Sequence, residues 1–135
     1  MTGIFDDAEI IHVYTRAQAI RDGVLVDVTG RARELGFRFP VALTIAAWAD
    51  CVAWDEQAAE KTGACQDESG RLHDVLWMTS LAVRRTSGDR ARVELLRVPR
   101  GGRRNARPQL VTLEAVCGPG DNMEPVITIQ QPGED

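Results

Sequence analysis

A chain of 135 residues, 44% apolar and 27% charged, has the size and make-up of one ordinary domain that can bury a core without disulfide or metal staples. No apolar run approaches the roughly 20 residues of a membrane-spanning helix, and three scattered cysteines, Cys51, Cys65 and Cys117, argue against a disulfide framework. The net charge of −4 argues against indiscriminate coating of nucleic acid, which needs a basic whole domain.

The first residues, Met1 to Asp7, hold no basic region ahead of an apolar segment and do not read as a secretory signal. A reduced, cytoplasmic chain is expected. Asp6–Val13 is a short lead-in with Ile10, Ile11 and Val13. Thr15-Arg16-Ala17-Gln18 has the form of a capping box, and Gly23 is placed to end the helix in a left-handed conformation. Val24–Val28 is β-branched and short, a strand or extended segment. Thr29 is read as the cap of a second short helix that Gly36 stops, and Pro40 holds Phe39 extended. Thr44 can cap a third helix, with Ala47, Trp48, Cys51 and Val52 on its buried face. Gln57–Gln66 is polar and small and reads as an exposed loop.

Arg71–Arg85 is the strongest helix, with Leu72, Val75, Leu76, Thr79, Ala82 and Val83 in one stripe. Trp77, Met78 and Leu81 widen that stripe, which places the helix centrally. Three strands follow, Arg92–Val98, Gln109–Cys117 and Val126–Gln130, joined as a meander with a turn at Gly118–Asn122. The expected fold is one α+β domain over residues 1–135. Short capped helices and one long central helix pack on a small antiparallel sheet formed mainly by the C-terminal half. Residues 131–135 read as a loose tail.

The phrases Tyr14–Ile20, Asp22–Val28, Phe39–Thr44, Trp48–Val52, Gln66–Leu72 with Asp74–Met78, Arg97–Arg100, Gly118–Asp121 and Glu124–Ile129 carry a resemblance across nearly the whole chain. The sequence resembles an uncharacterised bacterial family, a domain of unknown function met on plasmids, integrative elements and phage-like islands. The resemblance implies an accessory protein of a mobile element and carries no catalytic residues.

Charge is unevenly spread. Nine arginines and only two acids fall in Arg84–Arg107, a balance of +7 in a chain that is acidic elsewhere. One-sided fields of this kind steer charged partners. Arginine supplies forked donors for phosphate or carboxylate. A non-enzymatic binding module is therefore expected, contacting nucleic acid or an acidic, nucleic-acid-handling protein through Arg85, Arg92, Arg100, Arg103, Arg104 and Arg107. The simpler reading of the loop Pro99–Pro108 is a solvated connection that shields strand edges. No aromatic residues stand there for base stacking.

The alternative uses the opposite sign. Asp55, Glu56, Asp67 and Glu68, with Asp6, Asp7, Glu9 and Glu60, could form a face that mimics nucleic acid and inhibits a host defence system. A small hydrolase or transferase comes third. It would use His73 with Asp74 or Glu68, although neighbours His73 and Asp74 point about 100° apart on a helix. His12, Tyr14 and Asp27 could line a small pocket. No cofactor and no metal is expected: Cys-x-x-Cys and His-x-x-x-His spacings are absent, and Gly118-Pro119-Gly120 is no phosphate loop. Oligomeric state is left open.

Overall fold

A computed structural model describes residues 14–134. The lead-in Asp6–Val13, His12, and the acids Asp6, Asp7 and Glu9 lie outside the described residues. The order is α1 (Arg16–Arg21), β1 (Leu25–Asp27), α2 (Thr29–Glu34), β2 (Val41–Thr44), α3 (Ile45–Cys51), α4 (Glu56–Thr62), α5 (Glu68–Arg85), β3 (Arg90–Arg97), β4 (Gln109–Pro119) and β5 (Pro125–Gln130). The fold is α+β.

Local chemistry explains most boundaries. At α1 the capping box forms in full: Gln18 N donates to Thr15 Oγ1 at 3.0 Å, and Thr15 N donates to Gln18 Oε1 at 2.9 Å. Gly23 follows at φ +78°. Thr44 caps α3 through Ala47 N at 3.1 Å. The second helix departs from expectation in one detail. Thr29 is its first helical residue, and Val28 at the cap position makes no side-chain bond. Asp27 takes the free groups instead, accepting from Thr29 N and from Thr29 Oγ1 at 2.6 Å.

The exposed loop expected over Gln57–Gln66 is a correction. Most of it is α4, capped by Asp55 through Ala58 N at 2.9 Å and closed by Gly63 at φ +72°. Glu, Gln, Ala and Lys are strong helix formers, and this composition outweighs the lack of an apolar stripe. Only Ala58 and Thr62 of the helix are buried, so hydrophobic periodicity had little to display.

The five strands form one sheet in the order β1-β2-β5-β4-β3. The expected meander is present, since β3–β4 and β4–β5 are antiparallel. The sheet as a whole is mixed: β2 lies parallel to β5, with Val41 opposite Ile127 and Leu43 opposite Ile129. The short β1 completes the edge, antiparallel to β2. Val41, Leu43, Val93, Leu95, Leu113, Ala115, Ile127 and Ile129 form one apolar face of this sheet. Leu72, Val75 and Leu76 of α5 and Ala47 and Cys51 of α3 close the core over it. Across the other face Arg16 donates to Thr128 Oγ1 at 2.7 Å and to the Ile127 carbonyl at 2.9 Å. At the C-terminal end, Glu134 Oε2 accepts from Thr44 Oγ1 at 2.8 Å and from Gln131 N at 2.6 Å.

Candidate functional site

Strand register decides where the arginines go. Arg90 pairs with Val116 and Arg97 with Gln109, so residues 98–108 are the hairpin loop at one end of the molecule. Arg84, Arg85 and Arg90 sit at the other end, where α5 turns into β3. An eight-residue strand separates the groups by about 23 Å. The dense run therefore resolves into two clusters joined by a strand.

The loop cluster is a built structure. Gly102 N donates to the Pro99 carbonyl at 3.0 Å, and Ala106 N to the Arg103 carbonyl at 2.9 Å. Asn105, at φ +62°, donates its N–H to the Thr62 carbonyl at 2.8 Å and so docks the loop on the end of α4. A side chain at Gly102 would meet the Ala106 Cβ at 2.9 Å, which is why that position has none. Arg100, Arg103, Arg104 and Arg107 project from this frame, all exposed. Among the described residues they form no ion pair.

Arg92 and Arg97 face apart, as alternation along a strand requires. Arg92 lies on the open face of the sheet, 3.9 Å from Glu94. Arg97 turns toward the helices and donates to Asp50 Oδ1 at 2.8 Å. Arg85 is exposed in the last turn of α5, where a cation complements the helix dipole.

The four acids lie at adjacent helix starts. Asp55 caps α4; Asp67 caps α5 through Gly70 N at 2.6 Å. Glu56 and Glu68 follow in the first turns, and Glu68 Oε2 accepts from Trp54 N at 3.4 Å. Arg71 ties this region to the basic loop. It is only 3% exposed, donates to the carbonyls of Val52 (3.1 Å), Val98 (2.8 Å) and Asp50 (3.4 Å), and lies 4.7 Å over the Trp54 ring. Burial pulls its pKa below the ordinary guanidinium value. The acidic helix starts and the basic loop therefore occupy one end of the molecule.

His73 is exposed on α5 with its ring parallel to that of Trp77, centroids 6.5 Å apart. It shares a shallow cavity of about 290 Å³ with Cys65, Asp67, Arg71 and Asp74. Among the described residues His73 makes no hydrogen bond to a carboxylate. Likewise no group of three or more His, Cys, Asp or Glu side chains among them could hold a metal ion. Cys51 is buried beside Asp50, and burial pushes its thiol up to about 12. At neutral pH it is a protonated, inert group. Tyr14 donates its hydroxyl to Asp22 Oδ2 at 2.8 Å, and Asp27 accepts from the Thr29 hydroxyl at 2.6 Å.

A larger cavity, of about 350 Å³, was not foreseen. It opens at the opposite end, between the loop Leu35–Phe39, the end of α5 and the start of β3. The one trace in the sequence is Phe37-Arg38-Phe39, two large apolar residues around an arginine, between a glycine and a proline.

Fold and site together define a small α+β protein that presents charged and apolar surfaces. No helix among those residues is long and apolar enough to cross a membrane. The chain belongs to a family of unknown function, DUF6573, which it matches over residues 1–135. It matches no curated protein and no solved structure.

Proposed function

We propose that the protein is a non-enzymatic binding module. It contacts the phosphates of a nucleic acid, or an acidic surface of a nucleic-acid-handling protein, through Arg100, Arg103, Arg104 and Arg107. The observation that supports this reading is a hairpin loop pinned to α4 that projects four exposed arginines with no carboxylate partner among the described residues. Positioned phosphate contacts set affinity without reading sequence. Arg85 and Arg92 stand away from this loop and contribute to steering more than to contact. The setting we propose is an accessory protein of a bacterial mobile element, working in the cytoplasm.

The test is a titration against labelled duplex and single-stranded DNA and RNA at two salt concentrations. Wild type should bind, and affinity should fall steeply with salt. Arg103→Glu/Arg104→Glu should lower affinity at least tenfold with the thermal midpoint unchanged, since both residues are exposed. Binding unchanged by the double variant would overturn the reading.

The second reading is inhibition of a host defence complex through Asp55, Glu56, Asp67 and Glu68. Their clustering at two adjacent helix starts favours it. The cap roles of Asp55 and Asp67, and the arginines beside them, weigh against a clean phosphate mimic. Reversal of Glu56 and Glu68, which leaves both caps in place, separates the two: it should abolish inhibition under this reading alone.

A further inference from the structure

The cavity at the far end of α5 owes its space to a choice of small residues. Ala91 and Ala115 sit directly opposite each other on β3 and β4, on the face that looks toward the helices. Their neighbours in the same rows, Val93 with Leu113 and Leu95 with Val111, fill that space with larger side chains. Ala91, Ala115 and Ile127 all belong to the core, so the floor of the cavity is core surface reached from outside. Leu35, Phe37 and Val83 form its walls, and Phe39 is an exposed apolar lip. The volume of about 350 Å³ lies within the range of ligand sites.

The polar groups in the lining are turned away from the space. Ser80 donates its hydroxyl to the Trp77 carbonyl at 2.6 Å and Thr86 to the Ala82 carbonyl at 3.0 Å. With these protons already donated, the lining offers a sugar or nucleoside few partners for the water it would lose here. The mouth is different. Arg38, Arg84 and Arg90 stand there against a single carboxylate, Asp89. Arg90 is engaged, donating to Glu114 at 2.8 Å. Arg38 and Arg84 are exposed and have no partner among the described residues.

We propose that this cavity binds a small amphipathic carboxylate, with its acyl or aromatic body on the Ala91/Ala115 floor and its carboxylate held by Arg38 and Arg84. Apolar burial supplies affinity, and the two forked cations at a partly dry rim select the anion over an alcohol or amine of the same length. The site stands apart from the loop of residues 98–108 and does not depend on the function assigned to it.

Octanoate, octanol and octylamine are the probes, measured by calorimetry on the full chain carrying Cys65→Ser. Cys117 lines the cavity and is half-buried, whereas Cys51 is buried. Modification of Cys117 by neutral N-ethylmaleimide therefore reports occupancy at this place. Octanoate should bind saturably and slow that modification, and octanol and octylamine should each bind at least about tenfold more weakly. Arg38→Glu/Arg84→Glu should remove the preference for octanoate while preserving the thermal midpoint. Ala115→Leu, which fills the space, should abolish binding of octanoate and octanol alike. Failure of octanoate to bind, equal affinity for octanol, or an octanoate affinity indifferent to the surface double variant would each overturn the proposal, whether or not Ala115→Leu folds.

Discussion

Arg71 shows how one residue can act as both a charge and a structural fastener. Its guanidinium gathers the carbonyls at the ends of α3 and β3 and the ring of Trp54, none of which is near it in sequence. Removing it leaves buried acceptors without donors. Arg71→Met should lower the unfolding free energy by about 3 kcal/mol in urea denaturation. Arg71→Lys should recover little, since an ammonium lacks the planar fork. A loss under 1 kcal/mol would show that the carbonyls find other donors. Cys51 gives a second residue-scale expectation. Its folded pKa of about 12 lies above the unfolded value of about 8.5. The neutral thiol's contribution is whole below pH 8.5 and is lost as pH rises toward 12, by up to roughly 1.4 kcal/mol per unit. Cys51→Ala should flatten that alkaline slope in denaturation curves taken between pH 8 and 11. An unchanged slope would place its origin elsewhere.

At the scale of elements, side chains of adjacent residues decide where helices start. The capping box of α1 and the Thr44 cap of α3 were readable because each bond spans three residues. For α5, Ser69 and Asp67 are both readable as caps; Asp67 is the one used, so the helix begins at Glu68, a turn earlier than the stripe from Arg71. Asp67→Ala should cost about 1 kcal/mol and Asp67→Asn much less, measured by thermal or urea unfolding. Equal losses in both variants would mean that the charge, rather than the acceptor, carries the effect. The hidden helix α4 had the composition of a helix without its stripe, because it buries only Ala58 and Thr62. The position of Arg71, one turn before Val75 on the buried stripe of α5, was the available signal that this arginine points inward.

At the scale of the molecule, the charge run and the two candidate sites are products of register. The cluster Arg84–Arg107 looks continuous because α5, β3 and the hairpin loop are consecutive in sequence. An extended strand places its ends far apart, and alternation sends Arg92 and Arg97 to opposite faces. No short stretch of sequence assembles the cavity. It needs Ala91 and Ala115 in register, the end of α5 above them and the Leu35–Phe39 loop alongside, four segments brought together only when β2 enters the sheet parallel to β5. That parallel pair has 80 residues between its strands, 45 to 124, so no turn signal could announce it.

The sequence by itself determined the α+β class, the capped helices, the long amphipathic α5 and the three-stranded meander, because caps, stripes and short turns act over a few residues. Only the tertiary structure decided that the arginines form two groups, that Arg97 pairs with Asp50, that the acids sit beside the basic loop and that an apolar cavity opens under Arg38 and Arg84. Those features depend on strand register and on contacts between segments distant in the chain, which the packing of the whole core sets and no short stretch of sequence encodes.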